Sequence, residues 1–153
     1  MKKTIANKKG GVHRKTMKAN RSKNHNNIKN HRSHIVCVFL EILNMVKLFH
    51  WKTHSYAQHK ATDALYENLN ENIDKFIEVL LGKDKKRITM MEKKLDLIDP
   101  HNEREFKTKI YDYRDFLINM DKYFNKKGDS DLISIRDDIL VDINQFLYLM
   151  SLS

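Results

Sequence analysis

His50, His59, Asp63, Asp74 and Glu78 are the residues of this chain best suited to chemistry. Imidazole and carboxylate together bind iron, support its oxidation, and also suit zinc. His59 and Asp63 are four residues apart, as are Asp74 and Glu78, so each pair shares one face of a helix. Eleven residues separate Asp63 from Asp74. That is close to three full turns, so the second pair lies on nearly the same face as the first. His50 precedes them, at the end of an apolar run.

Helix rise decides how these residues could cooperate. His59 and Asp74 are fifteen residues apart, or about 22 Å along a helix axis. Metal–ligand bonds are about 2 Å long, so one ion cannot touch both ends within a chain. The two clusters become one site only if two chains meet antiparallel, the histidine end of one facing the Asp/Glu end of the other. A twofold pair makes two such sites, because its interface is isologous. The alternative is that the clusters are unrelated, and Asp74 and Glu78 are part of an ordinary solvated face shared with Glu67, Asn70 and Glu71. His54 falls in the turn between the clusters' helices and is expected to be exposed.

Four helices must position these residues. Ile35, Phe39, Ile42, Val46 and Phe49 give the first, over residues 35–52, a broad apolar face. The second begins near Ser55, which has capping-box spacing to Gln58. Its inner stripe is Leu65, Leu69, Ile73, Phe76 and Leu80, and Gly82 is the expected closing residue. Their short connection makes the two antiparallel neighbours and sets His50 opposite the start of the second helix. A longer connection over 83–99 has room for a short helix. Asp99-Pro100 then offers an N-cap followed by proline, with Asn102 and Glu105 as a competing start. The third helix carries Phe106, Ile110, Tyr113, Leu117, Met120 and Phe124 and runs to about residue 127, where Gly128 stops it. The fourth, over 131–150, turns Ile135, Ile139, Ile143, Phe146 and Met150 inward. Two hairpins joined by a long connection describe an all-α, ferritin-like four-helix bundle with one crossover. Scarce glycine and a single proline agree with an all-helical chain.

Charge divides the chain differently. The net charge is +9 over 153 residues. Residues 1–34 hold Lys2, Lys3, Lys8, Lys9, Arg14, Lys15, Lys18, Arg21, Lys23, Lys29 and Arg32, with no acid among them. The remainder is then slightly acidic. So dense a block of like charge repels itself and has little to bury, so 1–34 is expected to be a disordered basic arm before a bundle over 35–153. Its natural partner is a polyanion, DNA above all, bound without sequence preference through the phosphates. No aromatic residue lies in the arm to stack on bases. A solubilising or targeting tail is the other reading of such a block. His13, His25, His31 and His34 could add charge in mild acid. A lone cysteine, Cys37, fits a reducing, intracellular setting and a small hydrophobe's place in the core. No apolar segment follows the N-terminal charges, so no secretory signal is expected. The apolar stretch 35–51 is interrupted by Glu41, Asn44 and Lys47, and no membrane span is expected there.

The signature Glu-x-x-His of bundles that keep a di-metal site within one subunit is absent from the sequence. What is present, His50-Trp51, then His59-x-x-x-Asp63 and Asp74-x-x-x-Glu78, resembles the Dps family, the DNA-binding ferritin-like proteins of starved cells. A divergent branch of Dps-like proteins in large DNA viruses is similar too. The resemblance covers about residues 39–78, with a somewhat shorter loop after His50-Trp51, and extends to the rest only through the four-helix layout. It implies a homo-oligomer built on twofold dimers, a hollow dodecamer, with a di-iron site at each twofold interface. It implies ferroxidase activity: oxidation of Fe(II), preferably by hydrogen peroxide, and storage of the ferric product. His50, His59 and Asp63 would come from one subunit and Asp74 and Glu78 from its partner. Trp51 would stand beside the site and intercept oxidising equivalents. The competing expectations are a DNA-compacting protein whose site is vestigial or holds zinc, and a helical interaction adaptor without metal.

Overall fold

A computed structural model describes the backbone of residues 12–84, 87 and 94–152, and side chains from residue 31 onward within those ranges apart from Asp84. Every regular element in them is helical. The order is α1 (Val12–Lys52), α2 (Tyr56–Asp84), α3 (Glu103–Asn119), a single 3-10 turn (Met120–Tyr123) and α4 (Ser130–Leu149).

Burial follows the apolar periodicity closely. All five inner residues expected for each of the first, second and fourth helices are buried, as are Phe106, Ile110, Tyr113, Leu117 and Met120. Each such aliphatic or aromatic side chain contributes on the order of 2 kcal/mol when removed from water. Phe39 meets Phe76 edge to face, Phe76 meets Phe124 likewise, and Phe49 stacks flat on Phe106 at 3.9 Å. Cys37 is buried as expected, its Sγ 3.9 Å from a Glu41 carboxylate oxygen.

Which helix ends meet fixes the topology. Lys52, at the end of α1, donates to the Asp99 carboxylate at 2.6 Å and to the Pro100 carbonyl. Gln58, at the start of α2, donates to Glu103 at the start of α3. At the far end Lys83 of α2 pairs with Asp129 and Asp131 beside the start of α4. So α2 and α3 run in the same direction. The chain leaves α2 at one end of the bundle and enters α3 at the other. Packing agrees: α1 and α4 each contact both α2 and α3.

Several boundaries differ from expectation. Gly82 lies inside α2; its surroundings are open, and nothing there ends the helix before Asp84. Residues 94–102 are not helical, and the rest of the proposed short helix lies outside the described residues. α3 starts after Asn102, whose side chain accepts from the Glu105 N–H at 2.9 Å. Asp99 and Pro100 are drawn to Lys52 instead. α3 also ends early. Arg136, buried on α4, donates to the Leu117 carbonyl at 2.7 Å and to Asp121 at 2.6 Å. That holds the chain in a tighter turn just past Asn119.

Packing reaches further towards the N-terminus than residue 35. Ser33 is buried, the His31 ring lies 4.3 Å from Tyr123, and His34 meets Phe116 edge-on. The backbone of 12–30 continues α1 as helix. Within α1, His31–Lys52 is apolar and long enough by composition to cross a membrane, with mean hydropathy 1.4. Its apolar side chains instead form the core against α2 and α3.

Candidate metal centre

The link between α1 and α2 is a compact polar turn. Thr53 Oγ1 donates to Gln58 Oε1 at 2.8 Å and accepts from the Ser55 N–H at 3.2 Å. Ser55 Oγ accepts from the Gln58 N–H at 3.4 Å, one half of the expected capping box. The Gln58 side chain turns to Thr53 and Glu103 rather than back to Ser55. So tight a turn sets His59 against His50. Their rings stack with centroids 3.9 Å apart and planes 25° from parallel.

The hydrogen bonds of this pair set its chemistry. His50 Nδ1 is 3.1 Å from the His59 carbonyl oxygen, and His59 Nδ1 is 3.2 Å from the His50 carbonyl oxygen. A carbonyl only accepts, so Nδ1 carries the proton in both rings. In the neutral imidazole that leaves the Nε2 lone pair as the metal-binding atom. Thr62 Oγ1, fully buried, sits 3.2 Å from His50 Nδ1 and itself donates to the Gln58 carbonyl at 2.7 Å. His50 Nε2 lies 3.9 Å from Asp63 Oδ1. The other Asp63 oxygen is 3.9 Å from Lys60. His50 is 7 % exposed, while Asp63 opens towards solvent.

Asp74 and Glu78 lie further along α2, exposed and unpaired among the described residues. Helix register places them on the same side of α2 as Asp63. Among the described residues no three His, Cys, Asp or Glu side chains gather closely enough to hold an ion within one chain. His50 thus stands against the His59 ring and 3.9 Å from Asp63, short of a three-ligand cluster, and Asp74 and Glu78 lie apart from all three. Trp51 follows His50 and is 69 % exposed. Leu40, eleven residues earlier and so on the same face of α1, is also exposed. His54 is exposed in the turn, as expected.

Thr62, whose hydroxyl lies against His50 Nδ1, is the residue of the candidate site that sequence reasoning overlooked. Its signal was available: a threonine three residues after His59, on the inward side of α2. Of the arm, Lys2, Lys3, Lys8 and Lys9 lie outside the described residues, and Arg14 to Lys29 are described by backbone alone. Arg32 is partly buried, and desolvation lowers its pKa against the opposing pull of Asp129.

Residues 50–150 match the sequence profile of a family of unknown function (DUF5856). The chain belongs to this family. No curated protein and no solved structure matches it. The DUF5856 region begins at His50 and contains all five candidate ligands together with Trp51 and Thr62. The basic arm and most of α1 precede it.

Proposed function

We propose that this chain is a Dps-like iron-binding protein that oxidises and sequesters Fe(II) at sites shared between two subunits, and that its arm binds DNA nonspecifically. One observation carries the reading. His50 and His59 each donate the Nδ1–H to the other's backbone carbonyl, which leaves Nε2 of each neutral ring as the nitrogen able to bind a metal. The pairing of α1 and α4 with parallel α2 and α3 supports a ferritin-like bundle.

Iron is the substrate here. Each Fe(II) gives up one electron; two of them, with two protons, reduce hydrogen peroxide to two waters. The chain's residues bind and orient. His50 and His59 supply neutral nitrogen donors, and Asp63 supplies a carboxylate at the same end of the helix. Asp74 and Glu78 of a second copy bring negative charge to face them. Hard carboxylate oxygens stabilise the ferric product over the ferrous ion. Exposed Leu40 and Trp51 on the outer side of α1 support burial of this face against that second copy. Twofold dimers of this kind are the units of the proposed dodecamer. Zinc would suit the same donors without redox chemistry.

An anaerobic Fe(II) titration followed by peroxide, read at the ferric absorbance, tests the reading. Wild type should oxidise iron and His50→Ala or Asp74→Ala should do so far more slowly, with the oligomer by light scattering unchanged. Wild-type rates in either variant remove that residue from the site.

A further inference from the structure

The helix that carries His50 continues upstream through the basic arm to Val12. Along that stretch Arg14, Lys18, Arg21, His25, Lys29 and Arg32 follow one another at intervals of four, three, four, four and three residues. At 3.6 residues per turn these positions fall within an arc of about 80°. Asn20, Asn26, Asn27 and Asn30 lie outside it, as do two cations, Lys15 and Lys23. Met17 and Ile28 lie beside the arc and Val12 and Ala19 on the far side, so the helix has no broad apolar face.

We infer that residues 12–32 act as a helical ridge that seats its main cationic stripe against the phosphates bordering the major groove of B-form duplex DNA. The inference rests on the reading that the arm is the nucleic-acid contact, and adds its conformation, register and partner geometry. An unstructured polycation needs no periodicity; a helix engaging one groove does. The stripe rises about 27 Å, long enough to follow a groove past several phosphates. A helix about 10–12 Å across fits a major groove about 12 Å wide. Duplex RNA presents a deep, narrow major groove that excludes it. A membrane surface requires a wide apolar face on the opposite side, which this stretch lacks. Arg32, where the stripe meets the body, lies partly buried near Asp129, so Arg14, Lys18, Arg21 and Lys29 are the principal phosphate contacts.

The test keeps composition and charge constant. In the full-length chain, Lys18→Asn is combined with Asn20→Lys, Arg21→Asn with Asn26→Arg, and Lys29→Asn with Asn24→Lys, which spreads the cations around the helix. Fluorescence anisotropy on a mixed-sequence duplex of about 30 base pairs, read over a salt series, compares this variant with wild type. The expected result is at least a tenfold weaker Kd and a log–log salt slope shallower by about 2 to 3, since each lost phosphate contact removes about 0.9. Equal affinity and slope overturn the helical stripe while leaving the arm as a simple polycation. Undiminished DNA binding after deletion of residues 1–30, or no binding by wild type, overturns the arm reading itself. Tighter binding to duplex RNA than to DNA overturns the groove assignment.

Discussion

Thr62→Val tests how the histidine pair is held. Thr62 is fully buried, and its hydroxyl lies 3.2 Å from His50 Nδ1 while donating to the Gln58 carbonyl at 2.7 Å. Valine keeps the shape and removes the oxygen. The fold should lose about 1 kcal/mol, the usual net worth of one such hydrogen bond. Removing a group that orients a metal-binding histidine weakens metal affinity by about 10- to 100-fold. The lower end applies here, because the His59 carbonyl stays 3.1 Å from the same nitrogen. The expected loss is therefore about tenfold in Fe(II) Kd, or about 1.4 kcal/mol. Anaerobic isothermal titration of Fe(II) into both proteins, with a thermal melt to confirm folding, measures it. An unchanged Kd in a folded variant refutes the idea that Thr62 orients His50.

Two further predictions concern the framework. Arg136→Met removes a charged donor to the Leu117 carbonyl and the contacts to Asp121 and Asp137. The cost should be about 2 kcal/mol, the usual worth of a hydrogen bond from a charged donor, since the carbonyl keeps the Met120 N–H, and Tm should drop by about 4–8 °C; a shift below about 1 °C contradicts the role given to Arg136. Lys83 and Asp131 form a pH-dependent clamp. The Asp131 hydrogen bond raises the Lys83 pKa, and Lys83 in turn lowers that of Asp131. A depressed carboxylate contributes above its unfolded pKa and loses that contribution as pH falls through the folded value. A raised ammonium contributes below its unfolded pKa and loses it as pH rises through the folded value. The Tm difference between wild type and Lys83→Met should therefore be greatest between these ranges and shrink in both acid and strong alkali. A difference constant across pH removes the ion pair as its cause.

The core was legible because 3.6-residue periodicity and burial are the same constraint. Phe39, Leu69, Ile110 and Ile143 could be placed inward without coordinates. The parallel run of α2 and α3 was legible from the length of the connection between them. The early end of α3 was not, because Met120 and Phe124 continue the apolar rhythm of Leu117. What tightens the chain there is Arg136, distant in sequence. The packing of residues 31–34 was hidden for a related reason. Charge density argued for an arm, while His34 finds Phe116 near the end of α3 and His31 finds Tyr123 in the turn that follows. At the site, the short turn announced that His50 and His59 would be neighbours. The reciprocal Nδ1–carbonyl bonds and the part played by Thr62 depend on the register of one helix end against another, which local spacing does not encode.

The central claim is that the histidine half-site of one chain is completed by the Asp/Glu half-site of another. Subunit complementation addresses it directly, using a His50→Ala/His59→Ala chain mixed, after unfolding and joint refolding, with an Asp74→Ala/Glu78→Ala chain. Each protein alone should be nearly inactive in ferrous oxidation. In a random mixture, half of the dimers pair unlike chains, and each of these has one intact site out of two, so activity should return to about one quarter of wild type. A refolded mixture no more active than its separate components would contradict a shared site.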